Sequence, residues 1–198
     1  MQTVSSRYSA NVKIVLIGDG GVGKTTLIKS FIRGKALADT SYRATIGADI
    51  FVKEIQLSNP SLGTMIFRYI IWDLAGQPHW RAVRPQYYVS AQAGIAVFDV
   101  SRPETLRSLS YWIQEFYTYS GGAKPLVIVG NKIDLRDKMQ CVPPSAGEKY
   151  AEFLAKKYDV FVEYLEASAI NYVNVEEVFQ KLAEILIKTY LKKRRTII

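Results

Sequence analysis

Gly18-Asp19-Gly20-Gly21-Val22-Gly23-Lys24-Thr25 is the stretch on which the reading of this chain turns. It has the form GxxxxGK[ST]. Before it runs Val12-Lys13-Ile14-Val15-Leu16-Ile17, with the residue types of a buried strand, and after it Thr26-Leu27-Ile28-Lys29-Ser30-Phe31-Ile32, whose Leu27, Ile28 and Phe31 share one helical face. The glycines let the backbone bend so that successive N–H groups converge on one anionic cluster at a helix N-terminus. Lys24 adds a mobile charge between terminal phosphates, and the Thr25 hydroxyl suits Mg2+. Strand, loop and helix in this order read as a phosphate-binding loop made by Gly20, Gly21, Val22, Gly23, Lys24, Thr25 and Thr26.

The rest of the composition bounds what such a loop can serve. The 198 residues make one domain, which buries roughly 70% of its unfolded surface. Cys141 is the only cysteine, so no intrachain disulfide forms and a reducing compartment is expected. No apolar run approaches the ~18 residues of a membrane span, and residues 1–10 carry no signal-peptide pattern, so a cytoplasmic protein is expected. The net charge is +8, of which Lys188, Lys192, Lys193, Arg194 and Arg195 supply five units, leaving +3 for residues 1–187. That concentration in one terminal segment argues against a nucleic-acid-binding face.

Along the chain, the first helix ends near Gly34 and a polar stretch runs to Ala44. Ile50–Leu57 and Met65–Trp72 read as a hairpin around Ser58–Gly63. Gly94–Val100 and Leu126–Gly130 are apolar runs of the kind buried on both faces, and Val160–Leu165 is a last strand. Between them, Ser101 with Glu104, Ser145 with Glu148, and Asn174 with Glu177 read as helix caps, opening helices to about Tyr119, to about Tyr158 and through the terminal stripe Val175, Val178, Phe179, Leu182, Ile185 and Leu186. Strands alternating with helices give an α/β fold with a mainly parallel sheet, one antiparallel edge strand and helices on both faces. Residues 1–10 read as a flexible N-terminal segment, 11–191 as the domain and 192–198 as a basic tail.

Three more motifs fall at the ends of strands, where ligands sit in open parallel sheets. In Asp73-Leu74-Ala75-Gly76-Gln77, the aspartate can hold Mg2+ through water, Gly76 can offer its N–H to a terminal phosphate, and Gln77 can orient an attacking water. In Asn131-Lys132-Ile133-Asp134, Asp134 can accept two hydrogen bonds from guanine, a donor pair adenine lacks. In Glu166-Ala167-Ser168-Ala169, the small Ser168 and Ala169 allow a backbone N–H to approach the base. Thr45 completes the set, with a hydroxyl placed to close a Mg2+ shell with Thr25 and Asp73 while a terminal phosphate is present.

These five motifs, in this order over residues 10–190, resemble the Ras superfamily of small GTPases, and Thr45–Asp49 with Trp72–Gln77 resembles its Rab branch. The resemblance implies a P-loop NTPase G domain with a six-stranded sheet and five helices. It also implies GDP and GTP binding with Mg2+, and slow hydrolysis carried by Gln77, Lys24 and Thr45. The nucleotide would lie against the phosphate loop, Thr45, Gly76, Asn131, Lys132, Asp134, Ser168 and Ala169. Two switch segments, about 36–47 and 73–88, would meet effectors, exchange factors and GTPase-activating proteins, in a protein expected to be monomeric.

The chain also departs from that pattern. Lys35-Ala36-Leu37-Ala38 holds no aromatic to stack on the base, Pro78 follows Gln77, Ile170 follows Ser168-Ala169, and no cysteine lies near Ile198 to take a prenyl chain. His79, the only histidine, is expected to be an exposed switch residue, while Trp80, Tyr87 and Tyr88 suit either the core or a partner patch. The expected membrane contact is weak, peripheral and carried by the basic tail, whose five cations amount to up to ~5 kcal/mol on an anionic surface. Two other readings compete. One is a guanine-nucleotide adaptor that never hydrolyses, opposed by Gln77 and Gly20. The other is an ATP-dependent phosphotransferase, opposed by Asn131 and Asp134.

Overall fold

A computed structural model describes residues 7–34, 45–59, 63–76 and 80–196. Six strands, β1 (Arg7–Ile17), β2 (Ala48–Asn59), β3 (Gly63–Leu74), β4 (Ala93–Asp99), β5 (Leu126–Asn131) and β6 (Val162–Ala167), form one sheet in the order β2-β3-β1-β4-β5-β6. Every pairing is parallel except that of β2 with β3. The helices are α1 (Lys24–Arg33), α2 (Arg84–Tyr88), α3 (Pro103–Tyr119), α4 (Pro144–Tyr158) and α5 (Val175–Thr196).

The period-2 alternation of the strands splits the interior into two cores. Ile14 and Leu16 of β1, Ile95 and Val97 of β4 and Val127 and Val129 of β5 face Leu27, Ile28 and Phe31 of α1 and Val178, Phe179 and Leu182 of α5. Val15 and Ile17, Ala96 and Phe98, and Leu126 and Ile128 face the other way, onto Leu109, Trp112, Ile113 and Phe116 of α3 and Ala151 and Leu154 of α4. All seven residues of β4 are buried, as a strand covered on both faces requires.

Several boundaries differ from the sequence expectation. Strand β1 begins at Arg7 rather than Val12, and Arg7–Ala10 pair with Thr64–Phe67 of a hairpin that is itself longer at both ends. Ser9, Ala10 and Asn11 of that outer part are exposed, so its apolar signal is weak. Helix α5 runs through the basic residues to Thr196. Lys and Arg are good helix formers, Ile185 and Ile187 are buried, and Leu191 packs on the core, so the apolar stripe continues under the charges.

The capping expectations for α3 and α4 fail. Ser101 lies outside α3 and its hydroxyl donates to Asp99 Oδ1 at 2.6 Å; Arg102 occupies the cap position, and its side chain makes no capping bond to the first turn. Helix α4 starts at Pro144, so Ser145 lies inside the first turn, where proline's missing N–H removes the need for one cap.

The rings of Phe31 and Phe179 stack at 3.7 Å, and Tyr69 donates to the Phe179 carbonyl at 3.0 Å. Phe179→Ala is therefore expected to cost about 3–5 kcal/mol. Urea unfolding with ligand in fixed excess should show a lower midpoint at unchanged slope, and a loss under ~1 kcal/mol would mean that α5 does not depend on this stack.

Candidate nucleotide site

The carboxyl ends of β1, β3, β4, β5 and β6 bring their loops to one edge of the sheet. Residues 18–23 join β1 to α1, and two of the glycines are enforced. A Cβ on Gly18, at φ 132°, would lie 2.1 Å from the Val97 carbonyl oxygen, and one on Gly23, at φ 100°, would lie 2.3 Å from Asn131 Nδ2. Lys24 is buried at the start of α1 and donates to the carbonyls of Gly18 at 2.7 Å and Asp19 at 2.9 Å. Burial pushes its pKa down to about 8, and Arg84 adds to that, against the attraction of Asp73 and Asp19.

Beside it, Thr25 Oγ1 lies 2.8 Å from Thr45 Oγ1 and donates to Asp73 Oδ2 at 2.5 Å, an oxygen that Thr45 also approaches at 3.3 Å. Asp73 Oδ1 is buried and has no hydrogen-bond partner among the described residues. Burial raises the Asp73 pKa despite the two hydroxyls and Lys24. An orphaned carboxylate oxygen beside two hydroxyls is a set of hard oxygen donors, which fits Mg2+; that ion commonly takes one or two carboxylates and completes its shell with water and phosphate. Gly76 packs directly on the loop, since a Cβ there would lie 2.6 Å from the Gly20 nitrogen and 2.7 Å from Lys24 Nζ. Gln77, Pro78 and His79, and residues 35–44 of the first switch stretch, lie outside the described residues.

At the other end, Asn131 is buried and clamps two loops, donating to the Val22 carbonyl at 2.9 Å and accepting from the Ala169 N–H at 3.1 Å. Lys132 donates to the Gly21 carbonyl at 2.7 Å. Ser168 Oγ donates to Asp134 Oδ1 and so fixes the carboxylate read in the sequence as the guanine acceptor. The structure thus gathers Gly20–Thr26, Thr45, Asp73, Gly76, Asn131, Lys132, Asp134, Ser168 and Ala169 along one edge. The aromatic segment divides: Tyr88 is wholly buried and Tyr87 rests on Trp72 with ring centres 5.7 Å apart, while Trp80 is half-buried.

The Ras family profile matches residues 13–188 of this sequence. The chain belongs to the Ras family. It is 37% identical to human Ras-related protein Rab-30 over 176 residues, covering 89% of this chain and 80% of that protein. It is 33% identical to the Ypt/Rab-type GTPase YPT7 of Saccharomyces cerevisiae over 184 residues, covering 91% and 83%. Mouse Ras-related protein Rab-22A is 31% identical over 172 residues, covering 87% and 81%. These relatives place it in the Rab branch, as a small GTPase switch that binds GTP.

Several residues of this Ras-family site escaped the sequence reading. Ser30 of α1 donates to the Ala169 carbonyl at 2.7 Å, so Ala169 is held from both sides, by Ser30 and by Asn131. Asp99, last in β4, is 2% exposed, and hydrogen bonds from Lys132 and Ser101 hold its carboxyl below the usual range although burial opposes this. Trp112 of α3 donates its indole N–H to Asp19 Oδ1 at 2.7 Å. Asp99 was findable, because like Asp73 it is an acid that ends a buried strand; the other residues lie inside helices and carry no local signal.

Ser30→Ala leaves the buried Ala169 carbonyl without its donor, a loss of about 1–3 kcal/mol. Release of a fluorescent GDP analogue is expected to speed up by about 5 to 150-fold. An unchanged rate would show that the clamp on Ala169 does not act on the base.

Proposed function

We propose that this chain cycles between GDP-bound and GTP-bound forms with Mg2+ and slowly hydrolyses GTP to GDP and phosphate. The observation that carries this reading is the convergence of Thr25 and Thr45 on one oxygen of Asp73, which leaves the other oxygen, buried and unpartnered, beside them. Thr25, Thr45 and Asp73 would hold Mg2+, which when bound neutralises charge on the terminal phosphates. Thr45 belongs to the first switch stretch and Gly76 to the second, so a terminal phosphate contacting both would draw them onto the loop, and its loss would release them. Lys24 binds the same phosphates, and Gln77 orients the attacking water.

At the base, Asp134 accepts from guanine while Asn131, Lys132, Ser168 and Ala169 shape its surroundings. Effectors, exchange factors and GTPase-activating proteins would meet the switch stretches, and the exposed Ile46, Ile50 and Val52 beside and along β2 offer apolar contact there. The adaptor reading keeps one argument, that Pro78 removes an N–H and stiffens the segment carrying Gln77.

Single-turnover hydrolysis separates the readings. GTP turnover on the order of 10⁻⁴ to 10⁻³ s⁻¹ is expected, slower still in Gln77→Leu, with excess ATP failing to displace fluorescent GDP. Equal rates in parent and variant would favour the adaptor, and displacement by ATP would remove the role given to Asp134.

The basic end of α5 would carry a weak, peripheral contact with anionic membrane. Lys188 lies 3.5 Å from Glu163 and Lys192 lies 2.8 Å from Asp159, so two of the five cations already face carboxylates. At ~1 kcal/mol per basic residue the contact falls from ~5 to ~3 kcal/mol. Co-sedimentation with phosphatidylserine vesicles at low salt should be partial and vanish at high salt. A protein that stays in the supernatant at low salt has no such contact.

A further inference from the structure

We infer that Arg102 is a positioning residue for phosphate binding: together with Lys132, and anchored on the buried carboxylate of Asp99, it holds positive charge against two successive carbonyl oxygens of the phosphate loop. The inference rests on the reading above that nucleotide phosphates bind this loop. Asp99 Oδ1 accepts from the Ser101 N–H at 2.9 Å and from its hydroxyl at 2.6 Å. Asp99 Oδ2 takes both cations, Arg102 Nε at 3.1 Å and Lys132 Nζ at 2.8 Å. Each cation then reaches on to the loop, Arg102 Nη2 to the Gly20 oxygen at 3.2 Å and Lys132 Nζ to the Gly21 oxygen at 2.7 Å. One carboxylate against two cations leaves a net positive charge behind the loop.

The physical effect passes through the peptide groups. In a trans peptide the C=O of one residue and the N–H of the next lie in one conjugated plane and point in opposite directions. A cation on the Gly20 oxygen therefore polarises the Gly21 N–H, and one on the Gly21 oxygen polarises the Val22 N–H, each on the side away from the cation. Hydrogen bonds chained through a peptide in this way strengthen one another by roughly 10–30%. Arg102 also fixes the orientation of the Gly20–Gly21 peptide, in a loop where no Cβ does so at either residue. Its side chain is 39% exposed, so it serves the loop without the desolvation cost of a fully buried cation.

The test compares the full chain with Arg102→Ala and Arg102→Lys, each loaded with GDP and Mg2+. Two quantities are read: the release rate of a fluorescent GDP analogue and the ³¹P resonance of the β-phosphate of bound GDP. Loss of a charge-assisted hydrogen bond predicts about 10-fold faster release in Arg102→Ala. The β-phosphate resonance should shift in that variant, and Arg102→Lys should return both quantities part of the way to the parent. Release at the parent rate, or faster release with an unmoved β-phosphate resonance and no rescue by lysine, overturns the inference while leaving the switch reading intact. A parent protein that retains no GDP at all overturns both.

Discussion

Six consecutive peptide groups, from Gly18 to Gly23, define one requirement that the surrounding structure meets. If their N–H groups are to face an anion, their carbonyl oxygens must face away from it, and each buried one needs a donor from the protein. The donors are all present. Lys24 serves Gly18 and Asp19, Arg102 serves Gly20, Lys132 serves Gly21, Asn131 serves Val22, and the Leu27 N–H serves Gly23 as the first helical bond of α1. An unsatisfied group here would cost about 1–3 kcal/mol, so the loop's shape depends on two other segments arriving in place, the one after β4 with Arg102 and the end of β5 with Asn131 and Lys132.

Strand order is what delivers them. With β1 central, β4 and β5 lie in sequence on one side of it, and their ends carry Asp99 with Arg102 and Asn131 with Lys132 to the loop. On the other side β3 brings Asp73 and Gly76. Behind the loop, α3 adds Trp112, which binds Asp19 at its indole N–H and carries the Arg84 guanidinium over its ring at 4.1 Å. Arg84 makes a paired bond to Glu115, at 2.9 and 3.1 Å, and Tyr88 donates to the same carboxylate at 2.9 Å. A buried ion pair of this kind adds little net stability over an apolar pair, yet removing one partner is costly, so its effect is to fix where α2 sits beside the loop.

The parts of this site that were legible in the sequence share one property, that their chemistry is written in adjacent residues. The loop, Asp73, Asn131 and Asp134 each stand in a short run ending a strand, so the strand pattern alone places them. Arg102, Trp112 and Ser30 act across 82, 93 and 139 residues of sequence, and nothing near them announces the partner. The misread cap of α3 fails for a local reason instead. Ser101 has the residue type of a cap, but Asp99, two residues before it, accepts from both its N–H and its hydroxyl, and this local hydrogen bonding displaces the cap. Residues 192–198 read as a basic tail in the sequence, whereas α5 runs on to Thr196, with Leu191 packed on the core just before the run of cations.

Lys24 shows why such a site is incomplete by itself. Its ammonium is buried and rests on two carbonyl oxygens rather than on a carboxylate, so its charge is disfavoured even with Asp19 and Asp73 nearby. Arg84 adds a like charge, and the Asp99 cluster adds net positive charge on the far side of the loop. Folding thus gathers cations and oriented N–H groups around one place and takes them out of water. An anion arriving there would repay that desolvation at several points together, so ligand binding and fold stability are linked through the same residues. This linkage also explains the economy of the design: the groups that shape the loop from outside are the groups that make its inner face attractive to phosphate.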